Sequence, residues 1–134
     1  MSTALLIEDE FLIRELAEAY LSDAGFDVTT TRNGCEAMEV LGAGKKFDLL
    51  FTDIRMPGGV DGREVANHAK QMIDGLRVIY ATGYSDYGDL QAHNEMCIQK
   101  PYNMAILRKV LAQLGFSEES ARAASPPAAS HAAN

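Results

Sequence analysis

No stretch of this sequence stays apolar for more than a few residues, far short of the about 20 that a bilayer-spanning helix needs. No basic segment precedes the first apolar run, so a secretory signal is missing too, and a cytoplasmic location is expected. Cysteine is scarce. Cys35 and Cys97 stand far apart with no zinc or redox spacing, which reads as two reduced thiols, in the core or near the surface. The histidines His68, His93 and His131 lack ligand spacing as well, which argues against a transition-metal site. Positive charge is also in short supply. Twelve Lys and Arg face nineteen Asp and Glu, for a net charge of −7, and the basic residues form no cluster. A surface for nucleic acid needs a basic face, because phosphate contacts dominate affinity, so no nucleic-acid partner is expected.

The 134 residues suit one domain with a real core. β-type and helical patterns alternate five times along them. Ala4-Leu5-Leu6-Ile7 is a continuous apolar run, as a strand buried on both faces requires. Residues 10–24 place Ile13, Leu16, Ala17, Tyr20, Leu21 and Ala24 at helical spacing, with Gly25 as a stop. Asp27–Thr31 is β-branched. Asn33 is placed to cap a helix through Ala37, Met38 and Leu41. Phe47–Thr52 reads as the third strand, ending at Asp53, and a loop from Met56 to Gly62 leads into a helix reaching about Met72. Arg77–Ala81 is the fourth strand, a weakly patterned helix spans roughly Tyr87–His93, and Met96–Gln99 is the fifth strand. Ile106, Leu107, Val110, Leu111 and Leu114 form the stripe of the last helix. From Ser117 the chain is mostly Ala, Ser, Pro and Glu with nothing large and apolar. It cannot recover its ordering entropy by burial, so residues 117–134 are expected to be a disordered tail after a domain at 3–116. No output domain follows it, which reads as a stand-alone, single-domain protein.

Strict alternation predicts a parallel sheet with helices on both faces. With five strands the flavodoxin-like, doubly wound order 2-1-3-4-5 is the natural one, and five helices accompany it. In such a sheet, ligands bind beyond the carboxyl ends of the strands. Past the first strand come Glu8 and Asp9, past the third Asp53, past the fourth Thr82 and past the fifth Lys100. Each has a bland alternative: Glu8-Asp9 as a helix cap, Asp53 as a turn residue, Thr82-Gly83 as a turn start and Lys100-Pro101 as a helix entry. Their convergence on one rim is what favours chemistry. Carboxylates crowded together repel by roughly 4 kcal/mol per pair at 4 Å and an effective dielectric near 20. A proton or a hard cation relieves that repulsion, and Mg²⁺ suits a few carboxylates, waters and phosphate oxygens. A carboxylate is also a competent nucleophile toward phosphorus, with an ammonium and a hydroxyl to neutralise the transferring group.

Leu6-Ile7-Glu8-Asp9-Glu10, Asp53-Ile54-Arg55-Met56-Pro57 with Asp61-Gly62, Ala81-Thr82-Gly83 and Lys100-Pro101 together resemble the receiver domain of two-component response regulators, over about residues 3 to 115. The resemblance implies a phosphoacceptor signalling domain rather than a turnover enzyme, taking its phosphoryl group from a phosphohistidine. Glu8, Asp9, Asp53 and the Arg55 backbone carbonyl would hold Mg²⁺, Asp53 would accept the phosphoryl group, Thr82 would be the switch hydroxyl and Lys100 its ion-pair partner. A cis peptide before Pro101 is implied too. The partner would be a histidine kinase or histidine phosphotransferase, with a downstream protein partner possible and the chain itself a monomer or weak dimer.

Many receivers carry an aromatic three residues before that lysine; here the position is Cys97. Tyr80-Ala81-Thr82-Gly83-Tyr84 looks like the Phe-Ala-Thr-Gly-Tyr variant subgroup, in which Tyr84 or Tyr102 would stand in for the missing ring. The loop after Pro57 reads as one residue longer than the family's common form. Arg55 and Tyr84 flank the acceptor in the family's geometry and would screen it from water. Phe11 shares a helix face with Glu15, Glu18 and Ser22 rather than with the buried stripe, so it is expected to be exposed beside the acidic rim and available to a histidine-bearing partner helix. A dehalogenase-type phosphatase would want a second Asp at position 55, where Arg stands. A flavin-binding module would meet an acidic first loop that repels an FMN phosphate. A pseudo-receiver working by contacts alone would not need the full set of acids, hydroxyl and lysine.

Overall fold

The computed structural model describes residues 2–116 apart from Pro57 and Asn94, and at Tyr84 and Ser85 the backbone alone. The predicted tail at 117–134 lies outside the described residues. Ten elements alternate: β1 Thr3–Ile7, α1 Phe11–Asp23, β2 Asp27–Thr31, α2 Gly34–Gly42, β3 Leu49–Asp53, α3 Gly62–Met72, β4 Arg77–Thr82, α4 Tyr84–Ala92, β5 Cys97–Gln99 and α5 Met104–Gln113. All strand pairs are parallel, in the order β2-β1-β3-β4-β5. This is the doubly wound, flavodoxin-like arrangement that the alternation implied.

Side chains on successive strand residues point to opposite faces, and two cores result. Leu6, Phe51, Ile79 and Ile98 pack with Ala17, Leu21, Leu107 and Leu111 from α1 and α5. Leu5, Ile7, Leu50 and Tyr80 pack with Ala37, Leu41, Val65, Ala66 and Leu90 from α2, α3 and α4. The helices start where local chemistry allows. Asn33 and Asn103 accept backbone N–H bonds from Glu36 and Ile106 at 2.8 and 2.9 Å, and Asp61 with Glu64 forms a reciprocal capping box on α3.

Several expectations need correction. Leu16 and Ile106 were assigned to buried stripes but are 49% and 44% exposed. α1 and α5 bury narrower faces than the spacing suggested: Ala17 and Leu21 in α1, and Leu107, Val110 and Leu111 in α5. α4 begins at Tyr84, three residues before the predicted start. Gly88 and Leu90, the single fully buried apolar residue of α4 among the described residues, leave little periodicity to read. β3 begins at Leu49 rather than Phe47 and includes Asp53 as its last residue, while β4 runs on to Thr82. Among the described residues no helix is long and apolar enough to cross a membrane.

Candidate phosphoryl-transfer site

The order of strands reverses between β1 and β3, which opens a crevice at their carboxyl ends. Glu8 leaves β1 there, and its backbone N–H donates to the Thr31 carbonyl at 3.1 Å. α1 is capped at Glu10 without any side-chain cap bond, so the Glu8-Asp9 pair is not spent as a helix cap. Asp53 ends β3 opposite Ala81 of β4, a ladder position and not a turn. One carboxylate oxygen from each of Glu8, Asp9 and Asp53 lies within 4.8 Å of the others. Asp9 is exposed at the rim, whereas the Glu8 side chain is only 5% exposed.

Lys100 closes the cluster. Its Nζ donates to Glu8 Oε1 at 2.9 Å and to Asp53 Oδ2 at 3.0 Å. The lysine is placed by its own backbone N–H, which donates to the Thr82 carbonyl at 2.7 Å, and by a cis Lys100–Pro101 peptide. Burial pushes the Glu8 carboxyl above its ordinary range, and the hydrogen bonds from Lys100 and from the Glu10 backbone only partly offset this. Burial also opposes the Lys100 charge, yet the bonds to Glu8 and Asp53 hold its pKa above the usual lysine value. The ammonium is therefore charged, and one positive charge faces three carboxylates. A hard divalent cation fits that donor set: oxygen ligands only, an unmatched negative charge, and an open side at Asp9 for retained waters.

The remaining predicted residues are placed as follows. Thr82 is buried one residue beyond Ala81 in β4, and its hydroxyl makes a long 3.5 Å contact to Asp86 Oδ2. The Arg55 guanidinium grips the same carboxylate in bidentate fashion, at 2.7 and 2.9 Å. Phe11 is exposed at the start of α1, as its face suggested, with the Arg14 guanidinium 5.5 Å over its ring. Cys97 is buried against α4 and its thiol is pushed up by burial. Tyr102 packs in the other core, edge-on to Phe51 and Tyr20 at 5.9 and 6.0 Å, so it does not occupy the space of a ring at position 97. The Tyr84 side chain lies outside the described residues, as does Pro57.

Two contributors were missed. Asp86 was overlooked because α4 was started too late; placed in the first turn of a helix opening at Tyr84, an acid four residues after Thr82 is the available signal. Gly62 was read as part of a motif without its reason. Its N–H donates to the Ile54 carbonyl at 2.8 Å. A Cβ there would overlap the Asp53 carbonyl oxygen and stand 2.9 Å from Thr52 Oγ1, so only glycine lets α3 approach the end of β3 this closely.

Known proteins share this arrangement. A family model described as the response regulator receiver domain matches residues 4–121. Among solved structures, a response regulator receiver protein from Sinorhizobium medicae superposes with a TM-score of 0.77 at 31% identity, covering 84% of this chain and 93% of that one. The response regulator protein TrrA from Thermotoga maritima, described as in complex with Mg(2+)-BeF, gives 0.70 at 31% identity over 85% of this chain and 99% of its own. The DNA-binding transcriptional regulator NtrC of Escherichia coli (strain K12) is 42% identical over 81 residues, which are 60% of this chain but 17% of that protein. The chain thus spans under a fifth of that relative's length. With the fold, the acidic crevice and these likenesses in agreement, the chain belongs to the response regulator receiver domain family.

Proposed function

We propose that this domain accepts a phosphoryl group from a phosphohistidine onto Asp53, with Mg²⁺ held by Glu8, Asp9, Asp53 and the Arg55 carbonyl, and that this modification switches its contacts with partner proteins. The observation that carries the reading is the Lys100 ammonium bridging Glu8 and Asp53 at 2.9 and 3.0 Å while the Asp9 carboxylate joins the same cluster. A Mg²⁺ bound to this donor set would neutralise the carboxylates and withdraw charge from the phosphoryl oxygens. That TrrA is described with Mg(2+)-BeF supports the same ion here.

An ionised Asp53 carboxylate oxygen attacks phosphorus in line with the departing nitrogen. The new O–P bond forms as the N–P bond breaks, and the imidazole nitrogen leaves with the bonding pair. No protein base is needed, because the attacking oxygen carries no proton. Lys100 turns from the Asp53 carboxylate toward the phosphoryl oxygens, and the Thr82 hydroxyl supplies a second donor from the neighbouring strand. The partner that brings the phosphohistidine is a histidine kinase or phosphotransferase. Phe11 and Leu12, exposed at the start of α1 together with Leu16 one turn on, offer its helix an apolar surface beside the acidic rim.

Incubation with acetyl phosphate and Mg²⁺ followed by intact-mass measurement tests the reading. Wild type gains the mass of one phosphoryl group; Asp53→Ala and a metal-chelated sample do not. A gain that persists in Asp53→Ala overturns the assignment of the acceptor.

A further inference from the structure

The ion pairs on one side of the molecule share a pattern that the phosphoryl chemistry does not require. Arg55 in the β3–α3 loop pairs with Asp86 in the first turn of α4. Arg63, the second residue of α3, pairs with Asp89 one turn further along α4 at 2.7 Å. Lys70 in the last turn of α3 faces Glu95, just past α4, at 3.8 Å. All three cations belong to α3 or the loop before it, and all three carboxylates to α4 or the loop after it. Both helices follow neighbouring strands from the same rim, so the pairs descend side by side like rungs.

α4 has little else to hold it. Its N-cap is Gly83, which contributes no side-chain bond, and Leu90 is its one fully buried apolar side chain among the described residues. The top rung is the best made. Asp86 receives Arg55 through both guanidinium branches and is itself 15% exposed, and the arginine holds its carboxyl below the usual range. The same Oδ2 that takes Arg55 Nε is the one facing the Thr82 hydroxyl.

We propose that Asp86 is a positioning residue for the chemistry at Asp53: in the unphosphorylated domain it holds the Thr82 hydroxyl and the Arg55 guanidinium at the head of a charge ladder that fastens α4 to α3, and it surrenders the hydroxyl when Asp53 is phosphorylated. The proposal rests on the phosphoacceptor reading of Asp53. A hydroxyl has one proton to donate, so Thr82 cannot serve Asp86 and a phosphoryl oxygen together. The phosphoryl group, more highly charged, wins the donor and also competes for the arginine next to it in the β3–α3 loop. With its head undone, the ladder retains two more exposed rungs, which are individually weak. α4 then loosens while α3 and α5 stay in place. The device converts an event at Asp53 into mobility of one helix without calling on an aromatic side chain at position 97.

Hydrogen exchange of backbone amides, measured on the metal-free, unphosphorylated protein, tests the ladder. Asp86→Asn keeps the shape and removes the charge; it should speed exchange along α4 about three- to fivefold, with α3 and α5 unchanged. Arg55→Ala approaches the same rung from the other side and should give the same pattern, and the double variant should exceed neither single one. Phosphorylated wild type should match Asp86→Asn in α4. Asp86→Ala, which leaves the Thr82 hydroxyl no acceptor on α4, should also take up a phosphoryl group from acetyl phosphate several-fold faster, because Thr82 no longer has to be released. Unchanged α4 exchange in both single variants, or additive effects in the double variant, overturns the ladder. A failure of wild type to gain a phosphoryl group instead sinks the reading of Asp53, and the metal-free arm separates the two results.

Discussion

Gly62 shows how a single missing atom sets the geometry around Asp53. α3 can begin where it does only because no Cβ separates Gly62 from the Asp53 carbonyl and Thr52 Oγ1. Gly62→Ala therefore forces backbone apart at the end of a central strand, and should cost about 3 kcal/mol or more in urea unfolding, beyond the range of an ordinary surface change. Lys100 is the complementary case, since it holds two carboxylates together by charge. Lys100→Met leaves Glu8 and Asp53 facing each other without their shared ammonium. Because the lysine is partly exposed, the loss in metal-free protein should be about 1–3 kcal/mol, less than for a fully buried pair. Added Mg²⁺ should recover much of that loss, whereas the Gly62→Ala deficit should be indifferent to metal. Thermal midpoints with and without Mg²⁺ distinguish the two. At this scale the sequence was legible where a residue acts through its own chemistry: Glu8, Asp9, Asp53 and Lys100 announce themselves as charges after strands. It was opaque where a residue acts through absence, as at Gly62, or through a partner on another element, as Asp86 does through Arg55.

Helices and strands were legible to different degrees for a common reason. A strand buried on both faces must be apolar throughout, so Ala4–Ile7 could hardly be anything else. A helix against a sheet hides only a stripe, and the stripe's width depends on how closely its axis approaches. α1 hides only Ala17 and Leu21 fully, which leaves Leu16 at 49% exposure although its spacing fits the buried face. Phe11 at 61% and Leu12 at 78% extend that apolar surface toward the rim. Truncating side chains that are about half exposed removes only part of a core residue's buried area, so Phe11→Ala and Leu16→Ala should each change stability by about 1 kcal/mol or less. If the surface receives the histidine-bearing partner, the same variants should slow transfer from a phosphorylated histidine protein by tenfold or so, while uptake from acetyl phosphate stays at the wild-type rate. Equal rates from both donors would remove α1 from the docking surface. α4 illustrates the opposite limit: with Leu90 its one fully buried apolar side chain among the described residues, it leaves only a faint apolar rhythm in the sequence.

Across the whole molecule, the parallel sheet gathers acidic residues that an unfolded chain would keep far apart, and that convergence makes stability depend on pH and metal together. Glu8 is the group to follow. Its folded-state carboxyl lies above the ordinary value of 4.5, chiefly because burial disfavours the charge. A carboxyl with a raised folded pKa helps folding fully below that ordinary value, and the help fades as pH rises through the raised one. In metal-free protein, the stability of wild type relative to Glu8→Gln should therefore fall as pH rises above about 4.5, a trend opposite in sign to that of Asp86, whose arginine partner holds its pKa down. Lys100 does not disturb this window, because its own pKa is held above 10.5 and its contribution is lost only in strong alkali. A divalent ion binds the ionised carboxylates, so Mg²⁺ should stabilise wild type more at neutral pH than at pH 5. At a free concentration a hundredfold above its Kd the gain should be about 2.7 kcal/mol, and Glu8→Gln should gain clearly less. Urea titrations of both proteins at pH 5 and pH 7, with and without Mg²⁺, give all the differences needed. A stabilisation by Mg²⁺ that is equal at both pH values, and equal in Glu8→Gln, would mean that the ion binds somewhere other than the crevice between β1 and β3.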